Sequence, residues 1–287
     1  MIVGGPGRAG AVTEKRPWTY YALATLFTVY MAFLYGPMVV IYVLSFQGEN
    51  GGVTFPMVGT SVTWFQQILQ PGQMANIPVS FSRSVSLAAV VSALTVVFSV
   101  AAGLGFRRKF PGSGVVFYLA VASLVMPSLL VGFGIGLGFQ FLGLEPGLFT
   151  SALGAQLTWT LPFGLFAMFA VVNRFNRSWE EAAKDLGASA FQRLRYVTLP
   201  ILLPGILGVA MGAFTLSYDE YARTTLTIGS KNTLPLEIYA LISSATSPTL
   251  FAIGTLTTGG SFLVIGLTLV LVMRMQRRRT LASMKAG

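Results

Sequence analysis

Residues 84–109 read SVSLAAVVSALTVVFSVAAGLGFRRK. The run carries no charge from Ser84 to Phe106 and then ends on Arg107, Arg108 and Lys109. About 20 predominantly apolar residues are enough for a helix to cross the hydrocarbon core of a bilayer. Basic side chains gather on the face of the membrane that is not translocated. The stretch therefore reads as a transmembrane helix whose last turn meets the cytoplasm. Five more segments have the same character, at about 20–45, 115–142, 151–172, 200–221 and 249–273. Over the whole chain of 287 residues, 54% are apolar, 10% are charged and the mean hydropathy is +0.70. A soluble domain carries about 25% charged residues, so a water-soluble globule and a disordered chain are both excluded. The expected fold is all-α: a polytopic membrane protein with six transmembrane helices over 20–273. A tail (1–19) precedes them, a basic tail (274–287) follows, and a cytoplasmic loop spans 173–199.

The charges set the expected orientation. With the N-terminus inside, the cytoplasmic segments hold sixteen of the nineteen basic residues and leave Arg83, Arg223 and Lys231 outside. Both termini are then cytoplasmic, as the positive-inside rule requires. The surplus of ten positive charges is explained by this topology, with no nucleic-acid partner. The first span is too long for a signal-peptide core and is expected to be retained. The basic residues of the C-terminal tail read as an anchor beside anionic headgroups of the lipid bilayer. Residues 50–82 also lack charge until Arg83, but glycines, prolines and four glutamines break them. Val62, Phe65 and Leu69 recur there at helical spacing, as in a short amphipathic helix at the interface.

Several absences narrow the function. With no cysteine and no histidine, thiolate chemistry, the commonest metal ligand and the commonest general base are all missing. None of the five lysines follows a glycine, so there is no phosphate-binding P-loop and the chain cannot itself hydrolyse ATP. The alternating glycines Gly132, Gly134, Gly136 and Gly138 lie inside a span, where small residues allow close helix approach. Pro127 and Pro162 are expected to kink the third and fourth spans.

The loop 177–200, RSWEEAAKDLGASAFQRLRYVTLP, is built to fold. Ser178 and Glu181 have capping-box spacing, Gly187 is placed to end the helix, and Ser189 can start a second helix that Pro200 ends or bends. Ala182 and Ala183 leave one side of the first helix small enough for close approach by a partner. From composition alone, a solvated connector without a partner explains the loop equally well.

Glu181-Ala182-Ala183, then three residues to Gly187, and nine more to Val197-Thr198-Leu199-Pro200, resemble the EAA motif of permease subunits of bacterial ABC importers. Val197 stands where that motif has isoleucine, a difference of one methylene. The resemblance implies the MetI-like permease architecture in the bacterial inner membrane. It also implies that this loop is a coupling helix docking in a groove of an ATPase. Glu181, Ala182, Ala183, Gly187, Leu199 and Pro200 would then form the coupling element. The implied partners are a second permease subunit of a different chain, two ATPase subunits and an extracytoplasmic substrate-binding protein. ATP and magnesium would be bound by the ATPase, and no cofactor by this chain.

A second group of residues bears on the cargo. Tyr218, Asp219, Glu220 and Tyr221 sit near the outer end of the fifth span, where a carboxylate faces a bundle interior or a wet cavity. They can line the path of a cation, with the tyrosines adding cation–π contacts, or form a helix-end cluster held by Arg223. SYDEY, TLPLEIYALI and SPTLFAIGTL are similar to the spermidine/putrescine branch of these permeases, which implies a polyamine or similar organic cation. Related branches carry opines, phosphonates or ferric iron, and a secondary transporter is the alternative outside the family. Arg83-Ser84 departs from the Asn-Ser of that branch and keeps anionic cargo open.

Overall fold

The computed structural model describes residues 17–69, 76–108, 110–244 and 247–286. These residues form helices and no strand; Gln47 and Thr60 make one isolated β-bridge. The helices are α1 (Trp18–Leu44), α2 (Thr63–Leu69), α3 (Ile77–Gly105), α4 (Ser113–Val125), α5 (Ser128–Phe141), α6 (Leu153–Asn173), α7 (Ser178–Asp185), α8 (Ala190–Arg193), α9 (Leu199–Tyr218), α10 (Leu234–Ser244) and α11 (Thr249–Ala286). Turns of π-helix lead into α6 (Leu148–Ala152) and α9 (Leu194–Thr198).

By length and composition, Trp18–Leu44, Ile77–Gly105, Leu148–Asn173 and Ala190–Tyr218 are able to cross a membrane. The third expected span is not one helix. It breaks into α4 and α5, bent by 106°, because Pro127 pushes Met126 out of the α region to ψ 134°. Pro162, by contrast, lies within the continuous helix α6. The last expected span falls in α11, whose apolar part runs over Thr249–Leu263 before the helix continues past Arg274.

Helices α3, α6 and α9 form the centre, each packed on the other two. In lipid there is no hydrophobic drive between helices, so packing and interhelical hydrogen bonds hold them together. The seam is made accordingly. Ser92 Oγ donates to the Ala210 carbonyl at 2.7 Å and Thr95 Oγ1 to Thr160 Oγ1 at 3.0 Å. Gly164 lies against Ser99 and Thr95, and Gly205 against Val171. Met168, Val172, Leu202 and Val209 fill the end of the seam nearest the basic residues. Helix α1 meets α11 and leaves most of its apolar surface uncovered, including Phe33, which is 80% exposed.

The polar stretch after α1 does contain a short helix, α2, but its apolar side is packed onto the bundle. Ile68 is buried with Ile77, Leu234, Ala252 and Ile253, and Trp64 and Phe65 pack against them. Trp64 Nε1 also donates to the Gln47 carbonyl at 2.6 Å. Val62, expected on the apolar face, lies outside the helix and is exposed.

A candidate coupling loop at one end and a candidate cargo cleft at the other

At the basic end of the bundle, α7 and α8 form the expected helix–turn–helix. Gly187 ends α7 with φ +84°, and Ala188 N–H donates to the Ala183 carbonyl and Gly187 N–H to the Lys184 carbonyl, at 3.0 and 2.9 Å. That is a Schellman close, which requires the left-handed residue glycine provides. The expected capping box at Ser178 and Glu181 does not form. Ser178 is already inside the helix, its amide donating to Asn176 Oδ1 at 3.0 Å. The capping box is one helix later, where Ser189 Oγ accepts from Gln192 N and Gln192 Oε1 from Ser189 N. Gln192, like glutamate, reaches back to the cap, so Ser189–Gln192 fits the same signature as Ser178–Glu181.

Pro200 neither ends nor breaks the path into the fifth span. It sits in the first turn of α9, where its missing N–H leaves no donor unsatisfied, directly after the π turn. Glu181 and Ala182 are exposed and Ala183 is half-buried. Among the described residues nothing hydrogen-bonds the Glu181 carboxylate. Around them Trp179, Leu186, Phe191 and Tyr196 are each 60% exposed or more, an apolar surface on an otherwise charged loop.

Glu180 lies outside the motif and outside the expected site residues. Its carboxylate takes both guanidinium nitrogens of Arg107, at 2.8 and 3.0 Å, and the hydroxyl of Thr198 at 2.6 Å. The Arg107 guanidinium, with help from Thr198 and Arg193, holds the carboxyl below its ordinary value of 4.5 against the opposing effect of burial. Arg107 also lies over the Phe175 ring, 5.0 Å from its centroid. Arg108, Arg177 and Arg193 border the adjacent cleft of about 330 Å³. Local spacing offers no signal for a pair that is 73 residues apart.

The opposite end holds the second group, and the structure divides it. Tyr218, Asp219 and Tyr221 line a cleft of about 330 Å³ with Leu234, Pro235, Ile238, Tyr239, Ile242 and Thr257. The rings of Tyr221 and Tyr239 are 4.8 Å apart, and Tyr218 stacks on Phe214 at 6.1 Å. Asp219 is exposed, with no ion pair or hydrogen bond to its carboxylate among the described residues. Glu220 turns the other way, into the bundle. It pairs with Arg223 at 3.3 Å and accepts the Arg223 amide at 2.9 Å. The helix-end pairing with Arg223 thus holds for Glu220 and not for Asp219. Arg223 continues to Ser128 Oγ, at 2.8 Å, and lies over Trp159. Arg83 donates to the Asn232 carbonyl at 3.2 Å and does not line the Asp219 cleft.

The loop after α9 is seated by backbone contacts. A Cβ on Gly132 or Gly136 would lie 2.8 Å from the Arg223 carbonyl oxygen or 2.6 Å from that of Leu226, whereas Gly134 and Gly138 face open space. The glycine run therefore serves close approach, as expected, but to a loop instead of a helix. Ser151 Oγ donates to the Thr227 carbonyl, and Gln156 links Thr224 Oγ1 to Ser217.

Comparisons with known proteins agree with this layout. Residues 95–281 match the family described as "Binding-protein-dependent transport system inner membrane component". The chain is 28% identical over 258 residues to the spermidine/putrescine transport system permease protein PotC of Haemophilus influenzae, covering 89% of this chain and 96% of that protein. It is 27% identical over 274 residues to the putrescine transport system permease protein PotI of Escherichia coli, covering 92% and 94%. Among solved structures, a bacterial ABC transporter that imports the acidic polysaccharide alginate gives a TM-score of 0.61 at 16% identity, covering 94% of this chain and 99% of that one. The inward-facing MetNI methionine ABC transporter gives 0.58 at 15%, covering 75% and 99%. With its apolar helices and a match over well more than half its length, this chain belongs to the family of inner membrane components of binding-protein-dependent transport systems.

Proposed function

We propose that this permease subunit imports a polyamine, putrescine or spermidine, or a similar organic cation. The observation that carries the reading is the Asp219 cleft. A single unpaired carboxylate attracts an ammonium group, and the faces of Tyr218, Tyr221 and Tyr239 attract it further through their quadrupoles. Leu234, Pro235, Ile238 and Ile242 give the methylene chain between two ammonium groups an apolar wall. The names of the relatives point to the same cargo, and Arg83 does not line the cleft.

The energy comes from a separate ATPase with its ATP and magnesium. The loop 173–199 lies on the cytoplasmic side, together with both termini. Glu181, Ala182, Ala183 and Gly187 form its docking face, with Trp179, Leu186 and Phe191 around them; Leu199 and Pro200 begin the span that follows. Two ATPase subunits, a second permease of a different chain and an extracytoplasmic binding protein complete the importer. The uncovered apolar surface of α1 suits lipid and a neighbouring permease alike.

Putrescine uptake by the reconstituted importer tests the cargo. Asp219→Asn should lower it by about tenfold or more, given a charge-assisted contact in a partly desolvated cleft, while the ATPase still co-purifies. Full uptake by that variant would rule out the cation path.

A further inference from the structure

We propose that Glu180, one residue ahead of the motif carboxylate, is the positioning residue of the coupling loop: it ties α7 to the end of α3 and to the π turn at the foot of α9, so that a displacement of α7 reaches both spans. This rests on the coupling reading above.

Three elements meet at one carboxylate. The guanidinium that grips both oxygens comes from just beyond α3, and a bidentate fork fixes orientation as well as distance. The hydroxyl comes from Thr198, which is buried inside the π turn. Oε1 accepts from both Arg107 and Thr198, and Oε2 accepts from Arg107. Arg107 is itself held, by the Phe175 ring and by Arg177 Nη2, which donates to the Arg107 carbonyl at 2.9 Å.

The junction is not required to make α7 a helix. Asn176 satisfies an amide at its start and the Gly187 close satisfies carbonyls at its end. An isolated ion pair at this exposure contributes little to stability. Its placement between elements is what distinguishes it. Successive helical residues point about 100° apart, so Glu180 faces the bundle while Glu181 faces out. One carboxylate holds the loop to the spans, and the next is free for the ATPase. The π turn adds a reason for the Thr198 contact. There the backbone departs from the regular i→i−4 ladder, and Thr198 connects this irregular turn directly to α7.

The test uses the complete importer, with its ATPase and binding protein, in liposomes. It reads basal ATP hydrolysis and the stimulation of hydrolysis by the binding protein, a signal that must cross the spans. Thr198→Val keeps the volume and removes the hydroxyl, whereas Thr198→Ser keeps the hydroxyl. Thr198→Val should assemble with the ATPase and keep basal hydrolysis, while stimulation falls about tenfold, as loss of a charge-assisted hydrogen bond allows. Thr198→Ser should stay within about twofold. Normal stimulation in Thr198→Val, an equal fall in both variants, or loss of ATPase binding in Thr198→Val would each overturn the proposal. If Thr198→Val does not fold, Glu180→Gln takes its place: reduced stimulation with the ATPase bound supports the tie, and unchanged stimulation overturns it. The coupling reading fails separately, if Ala183→Trp leaves uptake and stimulation intact.

Discussion

Two arginine–glutamate pairs stand at opposite ends of this molecule, and they are built differently. Arg107–Glu180 joins elements 73 residues apart through two parallel bonds, with side chains 15% and 23% exposed. Arg223–Glu220 is an i,i+3 pair within one loop, longer at 3.3 Å, with side chains 2% and 8% exposed. Among the described residues, Arg223 Nε and the neighbouring Trp159 Nε1 have no hydrogen-bond partner. The partly exposed pair can break and re-form at smaller cost than a fully buried one, as the proposed junction requires. The buried pair cannot lose one partner without stranding a charge in low dielectric, which suits a fixed brace.

The contrast predicts unequal sensitivity. The largest effect belongs to Arg223→Met. Leaving Glu220 buried and unpaired should cost about 3–5 kcal/mol, read as loss of folded protein or a large fall in Tm. A Tm like that of the wild type would mean that water reaches the pair. The seat of the same loop gives the next effect. Gly136→Ala drives a methyl against the Leu226 carbonyl and should cost about 1–3 kcal/mol. Gly134→Ala, two residues earlier but facing open space, should lie within about 0.5 kcal/mol of wild type. Equal Tm values for these two variants would remove the loop-packing account of the glycines.

The smallest effect is the pH response of the Glu180 junction. Its carboxyl is lower in the folded protein than the ordinary 4.5. Its stabilisation is therefore complete above that value and is lost as pH falls through the lower folded value. The Tm advantage of wild type over Glu180→Gln should be present at pH 7 and be lost on acidification below the ordinary carboxyl value of 4.5. An advantage that grows on acidification would assign the wrong sign to the shift.

The same two ends show how far the sequence could be read. Apolar runs and the sixteen-to-three bias of basic residues were enough for a helical membrane protein, because bilayer thickness and charge placement act on composition directly. The turn of the candidate coupling loop was legible for the same kind of reason: Gly187 acts locally, at the end of one helix. Glu180 was not, because its meaning depends on Arg107 and Thr198, which only the packing of α3, α7 and the π turn brings near. Asp219 and Glu220 looked interchangeable as neighbours, and only the backbone at the end of α9 turns one into the cleft and the other into the bundle. The break at Pro127 was foreseen as a kink; its size, 106°, follows from Met126 leaving the helical region altogether.

Ala183→Trp in the complete importer tests the central claim most directly, by measuring substrate uptake alongside binding-protein-stimulated ATP hydrolysis. Ala183 is half-buried on the proposed docking face, and an indole there should hold the ATPase off the loop. Loss of both uptake and stimulated hydrolysis, in a permease that still folds at the wild-type Tm, is the predicted result. Wild-type uptake and stimulation in that variant would contradict the assignment of this loop as the site of coupling.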